Sequence, residues 1–518
     1  MNWKLVATLG LAMASPLAAQ TGLAPVRRPG PPTIDSMLLR SSTYFLASDL
    51  LEGRGTGRRG NDIAALYLAA EAQALGLRGA GTDGGYYQPV PLVEDVVDTA
   101  RTRIILTLER EAGAREEFRT PQAFVPNVGT AATLISFAGG LAYVGSPRDI
   151  LAHPEALPDL AGRVALVRGP FGPDAAAADT LRERGVTGVV QLTPDSATYD
   201  LYVRSRGPSR MFIADSAHAV SSFIPDLPDV IASPALVRAL DPDLPIAGTP
   251  QDRPALLTGR RMEFQIDVHS RPLVSRNVAA ILPGADPARR GEYVAFTAHL
   301  DHLGISTPDA GGDSIYNGFS DNAAGCAMLL AIAKAMVAGP RPARSVLFLW
   351  PTGEERGLLG SDYFAAHPLV PADHIVAEIN LDAGAPPAPP VSWEIVGGDR
   401  TTLGALAVRV ARRAGWAAKV GPASPNSDYF PLLRIGVPAV FLVPGSAPYE
   451  GLTADSSKAL GRKWDHYHQP SDEWKADFPY SGLVRYADFG YLVGMAAAAS
   501  RRPVPAGAGS GAGAPSGP

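Results

Sequence analysis

The stretch Tyr293–Asp321, YVAFTAHLDHLGISTPDAGGDSIYNGFSD, decides how the rest of the chain is read. It opens on an apolar, β-rich run, Tyr293 to Ala298, of the kind that forms a buried strand. The run ends in His299-Leu300-Asp301. Alternate residues of an extended chain point to the same side, so His299 and Asp301 can face one site at the strand's carboxyl end. A loop rich in Gly, Asp, Ser and Asn follows and gives way at Asp321-Asn322 to an apolar helical pattern. One imidazole and two carboxylates are thereby gathered at the top of a single strand.

Around this stretch the pattern alternates. Strands are expected at Asn277–Leu282, Tyr293–Ala298, Val346–Trp350, Ile375–Leu381 and Ala439–Val443. Helices are expected at about Asn322–Val337, Leu358–Ala366, Leu403–Ala414 and Leu483–Ala499. Such alternation predicts an α/β fold with a mainly parallel, mixed sheet covered by helices on both faces. The region 266–500 is therefore read as the main part of the functional domain. The region 21–125 is its N-terminal part, with helical patterns from Ile34 to Leu50 and Asn61 to Leu75. The glycine-rich break between them, Leu51 to Gly57, reads as a connection between two packed surface helices. Its glycines would also let backbone approach a ligand.

Residues 126–265 differ in character. Short β-type runs at Thr133–Phe137, Arg163–Arg168 and Gly188–Leu192, with a helical pattern at Ala175–Arg184, predict an inserted small β-rich domain. His153 and His218 stand isolated in it and read as surface or capping residues. Residues 1–20 combine Lys4, an apolar core from Leu5 to Ala14 and a small-residue end at Pro16 to Ala19, the form of a signal peptide. That predicts a secreted or periplasmic protein. No later apolar run approaches membrane length, so no transmembrane span is expected. Residues 501–518 are rich in Ala, Gly, Pro and Ser and read as a disordered tail.

Of 518 residues, 46% are hydrophobic and 19% charged, a globular composition on a chain longer than one typical domain. The net charge of −5 is spread out. No basic run suggests nucleic acid. Cys326 is the single cysteine, so an intrachain disulfide is excluded. It lies in a small-residue helical pattern and reads as a packed thiol.

In open α/β sheets, ligands bind beyond the carboxyl ends of the strands. That edge carries His299 and Asp301, then Glu354 and Glu355 after Val346–Trp350, then Asp382 after Ile375–Leu381. Asp321 joins through its loop, and His468 follows the last strand and can fold back. So many carboxylates cannot share a dry cleft without countercharge. Divalent cations remove the conflict, and mixed His/carboxylate donors suit zinc, with manganese or cobalt as substitutes. The donors are too many for one tetrahedral ion and suit two, about 3.5–4 Å apart.

His299-Leu300-Asp301-His302-Leu303-Gly304, Ser320-Asp321-Asn322-Ala323-Ala324-Gly325, Gly353-Glu354-Glu355, Asn380-Leu381-Asp382 and Tyr467-His468-Gln469-Pro470-Ser471-Asp472 resemble the co-catalytic dizinc peptidases. These include bacterial leucyl aminopeptidases, the Streptomyces-type aminopeptidase and glutamate carboxypeptidase II. Ser427-Asp428-Tyr429-Phe430-Pro431 and Gly436-Val437-Pro438-Ala439 extend the likeness, although the family often has His where Tyr429 stands. The resemblance covers about 34–125 and 266–498. The insert, through Gly162 to Val167 and Gly185 to Val189, is similar to a protease-associated domain.

The resemblance implies that His299 and Asp382 bind one zinc, Glu355 and His468 the other, and that Asp321 bridges both. It implies Asp301 as the residue that orients His299, Glu354 as the general base and Tyr467 as an oxyanion donor. It also implies a cis peptide at Asp321–Asn322. His302 reads as packed, and His269, His367, His374 and His466 receive no role. The expected activity is a zinc-dependent aminopeptidase acting on peptide substrates. A glutamate carboxypeptidase-type exopeptidase, with Arg54, Arg58 or Arg434 clamping a substrate carboxylate, is the nearest alternative. A one-zinc glutaminyl cyclase and a non-catalytic receptor-like protein are further ones. The sequence leaves the oligomeric state open.

Overall fold

The computed structural model describes residues 33–108, 113–127, 134–171, 176–206, 209–214, 227–246 and 253–500. The expected signal peptide, the expected tail and His218 lie outside these residues.

The main sheet is ordered, from one edge, as Ser209–Ile213, Tyr87–Val97, the second half of Ala255–Leu282, Ser345–Trp350, Tyr293–Thr297, Ile375–Asn380, Ala439–Pro444, Ser392–Val396 and Ala417–Gly421. Ser345–Trp350, Tyr293–Thr297, Ile375–Asn380 and Ala439–Pro444 run parallel to one another and form its centre. Antiparallel neighbours flank them. The central strands are buried on both sides, which is why they read as continuous apolar runs.

Alternation along these strands feeds two cores. Val294, Phe296, Val346, Phe348 and Trp350 pack with the helices Ala324–Ala338 and Ser481–Ala499 on one face. Ala295, Leu347 and Leu349 pack with Phe364, Tyr429 and Leu432 on the other. The helix pair Ser36–Leu46 and Arg59–Ala74 joins the first core through Leu39, Leu46, Ala65 and Leu68. Asp35 starts the first of these helices by accepting from the backbone N–H of Met37 and Leu38. The stretch Phe319–Ala338 is long and apolar enough to cross a membrane, yet 83% of its most apolar window is buried, as befits the central helix of a packed core.

A second sheet has its own core, with Ile104, Leu141, Val164, Val190, Val230 and Phe264 among its members. It contains the expected runs as Leu134–Gly145, Val164–Arg168 and Gly188–Leu192. Its strands come from both sides of the expected boundary at 126, because Arg103–Leu108 and Ala114–Arg119 also belong to it. The strand Ala255–Leu282 serves both sheets: residues 255–267 pair in the second and residues 268–282 in the first. One unbroken strand thus joins the β-rich insert to the main sheet, and the sequence shows no loop there because none exists.

Candidate metal centre

Three adjacent strands of the main sheet end side by side. Tyr293–Thr297 delivers His299 and Asp301, Ser345–Trp350 delivers Glu354 and Glu355, and Ile375–Asn380 delivers Asp382. Asp321 comes from a single wide helical turn, Phe319–Ala323, ahead of the buried helix. Its peptide bond to Asn322 is cis. His468 adopts φ +54°, in the left-handed region that non-glycine residues seldom occupy. The turn around it is held by Gln469 N–H donating to His466 O at 3.0 Å and Phe319 N–H to Asp472 O at 2.9 Å.

The donors form two groups that share Asp321. His299 Nε2 lies 3.1 Å from Asp321 Oδ1 and 3.0 Å from Asp382 Oδ1. His468 Nε2 lies 3.1 Å from Asp321 Oδ2 and 3.1 Å from Glu355 Oε2. Each oxygen of Asp321 thus faces a different histidine. An ion bound at about 2.0–2.2 Å by N and O donors in a tetrahedron separates them by about 3.3–3.6 Å, close to these spacings. His468 Nε2 is buried and makes no hydrogen bond despite its two acidic neighbours. A nitrogen aimed between two carboxylate oxygens without donating to either has the orientation of a ligand. The donors therefore fit divalent metal.

Electrostatics point the same way. Burial would lower the pKa of His299, but Asp382, Glu354 and Asp321 reverse it and hold it well above the ordinary value. Burial likewise opposes the charge on His468, and Glu355 and Asp321 push it up to about 10. The carboxylates create a potential that favours positive charge where the two groups meet. Glu354 belongs to neither group, and its Oε2 stands 4.0 Å from His299 Nε2. Burial, reinforced by Asp382, Glu355 and Asp428, raises its pKa well above the usual carboxylate range. A carboxyl beside the donor groups but outside them is placed to exchange protons with a molecule bound there.

Asp301 meets the remaining ring nitrogen of His299 with its main chain. His299 Nδ1 hydrogen-bonds its main-chain oxygen at 3.1 Å, while its carboxylate stands 3.9 Å away. That carboxylate instead accepts from Thr56 Oγ1 at 2.7 Å and from the backbone N–H of Glu354 at 3.1 Å. Asp301 therefore orients His299 through its backbone, and its side chain fixes the segment that carries Glu354. Tyr467 stacks on the His468 ring with centroids 3.8 Å apart, and 58% of its surface is exposed, which places it at the mouth of the site.

Several participants escaped the sequence reading. His302 is wholly buried, with Nδ1 2.6 Å from Glu355 Oε1, so it meets a candidate ligand rather than merely packing. Asp472 is buried and accepts from Ser320 N–H at 3.0 Å and Asp321 N–H at 3.2 Å, steadying the turn that presents Asp321. Ser427 donates to Asp382 Oδ2. The break at Leu51–Gly57 walls the site. Arg54, 1% exposed, donates to the carbonyls of Leu46, Leu300, Asn317 and Gly318, tying the helix pair to both ligand loops. Gly53, at φ +66°, lets this happen, since a Cβ there would meet Tyr316 O at 2.5 Å. Gly318, at φ +57°, admits the His302 ring, which a Cβ would meet at 2.6 Å. The glycine spacing around Arg54 was the one sequence signal for this wall.

Residues 277–489 match the model of Peptidase family M28. No curated protein matches the chain. Similar solved structures include an aminopeptidase from Aneurinibacillus sp. strain AM-1, at 17% identity and TM-score 0.56, covering 91% of this chain and 95% of that one. They also include BSAP, a zinc aminopeptidase from Bacillus subtilis, at 17% identity and TM-score 0.52, covering 90% and 94%. A Peptidase M28 precursor from Shewanella amazonensis SB2B matches at 17% identity and TM-score 0.50, covering 90% and 95%. At such identity the likeness is one of fold.

Proposed function

We propose that this chain, whose residues 277–489 match the model of Peptidase family M28, is a secreted or periplasmic dizinc aminopeptidase. The observation that carries the two-ion reading is Asp321, whose two oxygens each lie 3.1 Å from a different histidine Nε2. His299, Asp382 and Asp321 would hold one zinc, and Glu355, His468 and Asp321 the other. When bound, the ions would acidify a water and polarise the scissile carbonyl.

The chain's own groups do the rest. Glu354 takes the proton of the attacking water and returns it to the leaving amine, which its place beside the donor groups but outside them supports. The Asp301 carboxylate, held by Thr56, keeps the Glu354 backbone in place. Tyr467 donates from the site mouth to the oxygen on which charge develops.

Charge favours an amino over a carboxyl terminus. A carboxypeptidase needs a cation to clamp the substrate carboxylate. Arg54 is spent on backbone carbonyls, Arg58 pairs with Glu94, and Arg434 pairs with Asp362. Arg356 lies in the field of Glu355, Asp301 and Glu94. The intact donor groups and Glu354 weigh against a receptor-like protein. The β-rich insert is read as a protease-associated domain.

The test is a panel of peptides with free or acylated N-termini, with and without chelator. Hydrolysis of free-amine peptides that chelation abolishes and zinc restores supports the reading. Equal cleavage of acylated peptides, or turnover that survives chelation, refutes it.

A further inference from the structure

Behind Asp382 runs an unbroken line of buried polar groups that the reaction above does not use. Glu378 Oε1 contacts Thr297 Oγ1 at 2.5 Å, and Thr297 Oγ1 contacts Asn380 Oδ1 at 2.8 Å. Asn380 Nδ2 contacts Ser427 Oγ at 2.5 Å, and Ser427 Oγ contacts Asp382 Oδ2. Glu378, Thr297, Asn380 and Ser427 are each wholly buried. The geometry follows from the sheet. Glu378 and Asn380 are two apart on one strand and share a face, and Thr297 is the direct cross-strand partner of Asn380.

Each contact needs one hydrogen, and each hydroxyl has only one to give. Suppose Asn380 is oriented as described. Its N–H then serves Ser427, Thr297 must donate to Asn380 Oδ1, and Ser427 donates to Asp382. The contact between Glu378 and Thr297 is left without a hydrogen unless Glu378 supplies it. Suppose instead that the amide is turned over, an orientation that heavy-atom positions do not themselves fix. Asn380 then donates to Thr297, Thr297 donates to Glu378, and Ser427 donates to Asn380. The contact at Asp382 now lacks a hydrogen unless Asp382 is protonated. At least one of the two carboxyls must therefore hold a proton. A metal ligand is ionised, which leaves Glu378.

We infer that Glu378 is a permanently protonated, neutral acid that orients the metal ligand Asp382 through Thr297, Asn380 and Ser427. It is a positioning residue and touches neither metal nor substrate. By occupying Oδ2 of Asp382, the chain would leave Oδ1, the oxygen 3.0 Å from His299 Nε2, available to a bound ion. Glu378 Oε2 is buried without a partner, which a neutral carbonyl oxygen tolerates far better than a carboxylate. Burial raises its pKa in the same sense, with the neighbouring Asp428 adding to it. This inference rests on the dizinc reading only in taking Asp382 to be a ligand.

A glutamine reproduces the donor of a protonated glutamate, whereas a methionine of similar size does not. In the metal-loaded protein, Glu378→Gln should keep zinc affinity, by chelator competition, within about threefold of wild type. Glu378→Met should weaken one of the two ions by about 10–100-fold, the usual effect of losing a group that supports a ligand. The cobalt-loaded proteins should show the same order, with the visible spectrum altered in Glu378→Met and preserved in Glu378→Gln. Equal losses in both variants would mean that the charge of Glu378 is needed, and unchanged affinity in Glu378→Met that the chain positions nothing. Either overturns the inference. Should both variants fold poorly, isotope-edited infrared spectroscopy of glutamate-labelled, zinc-loaded Glu354→Gln protein decides. A protonated glutamate carboxyl band at neutral pH is expected, and its absence refutes the assignment. This band reads the Glu378 proton directly, so it stands or falls separately from the substrate panel that tests the peptidase reading.

Discussion

Replacing Glu354 by glutamine separates the proposed base from the proposed metal ligands. The two side chains are nearly the same size, and Glu354 lies in neither donor group, its Oε2 4.0 Å from the nearest histidine nitrogen. Its carboxylate makes no contact that holds Asp321, Glu355 or Asp382 in place; it is the Glu354 backbone N–H that meets Asp301. Glu354→Gln should therefore bind zinc as wild type does. The rate effect follows from what is lost. General acid–base catalysis contributes about 10²–10⁴-fold, or about 2.7–5.4 kcal/mol at 1.36 kcal/mol per tenfold. Glu354 is the buried carboxyl that stands beside both donor groups without joining either, so a loss within that range is expected. The loss should fall on kcat with KM little changed, because the amide still fills the same space. The acidic limb of the kcat/KM profile that reports Glu354 should also vanish. The assay is steady-state hydrolysis of a free-amine peptide by protein whose zinc content has been measured. A metal-replete Glu354→Gln enzyme within about tenfold of wild type would remove Glu354 from the proton transfers.

Other outcomes follow from the same geometry. Tyr467→Phe should lower kcat by about 10²-fold or somewhat less with KM steady, as for a lost oxyanion donor, and a near-normal kcat would return Tyr467 to stacking on His468. Arg54→Met should strand four buried carbonyls and destabilise the fold by about 3–5 kcal/mol, read as a lower Tm, whereas an unchanged Tm would deny the tie between the helix pair and the ligand loops. His299 and His468 are held protonated near pH 7 in the metal-free protein, yet ligation requires neutral rings. Zinc binding at about pH 7 should thus release about two protons per chain, visible as a binding heat that changes with the ionisation enthalpy of the buffer. Both pKa values lie above the unfolded value of about 6.5, so the charged rings stabilise the metal-free fold below that pH, and this support is lost as pH rises through them, toward about 10 for His468. The Tm of the metal-free protein should fall over that window.

The centre of the fold was legible because its strands are buried on both faces and its helices have strong apolar patterns. Tyr293–Thr297, Ser345–Trp350 and Ile375–Asn380 fall within a residue or two of where the sequence put them. The rule that ligands gather at strand carboxyl ends then located the candidate donors. Ser392–Val396 and Ala417–Gly421 were missed because they are short and partly exposed, so their residues lack a clear apolar run. The early start of the second sheet and the strand it shares with the main sheet were hidden for another reason: pairing between Arg103–Leu108 and Arg260–Gln265 is a contact across most of the insert. The supporting groups of the site were equally hidden. Arg54 reaches Leu300, 246 residues away, and His302 reaches Glu355, 53 residues away. Local periodicity cannot report such distances. His302 read as packed because a buried histidine usually is, and only the position of Glu355 shows otherwise.

The central claim is that Asp321 joins two metal positions in one site, and the most direct measurement is zinc counted per chain by elemental analysis after saturation and removal of free metal. The account predicts about two equivalents in wild type, falling to about one in Glu355→Gln and below one in Asp321→Asn. One equivalent in saturated wild type, or two retained without Asp321, would contradict it.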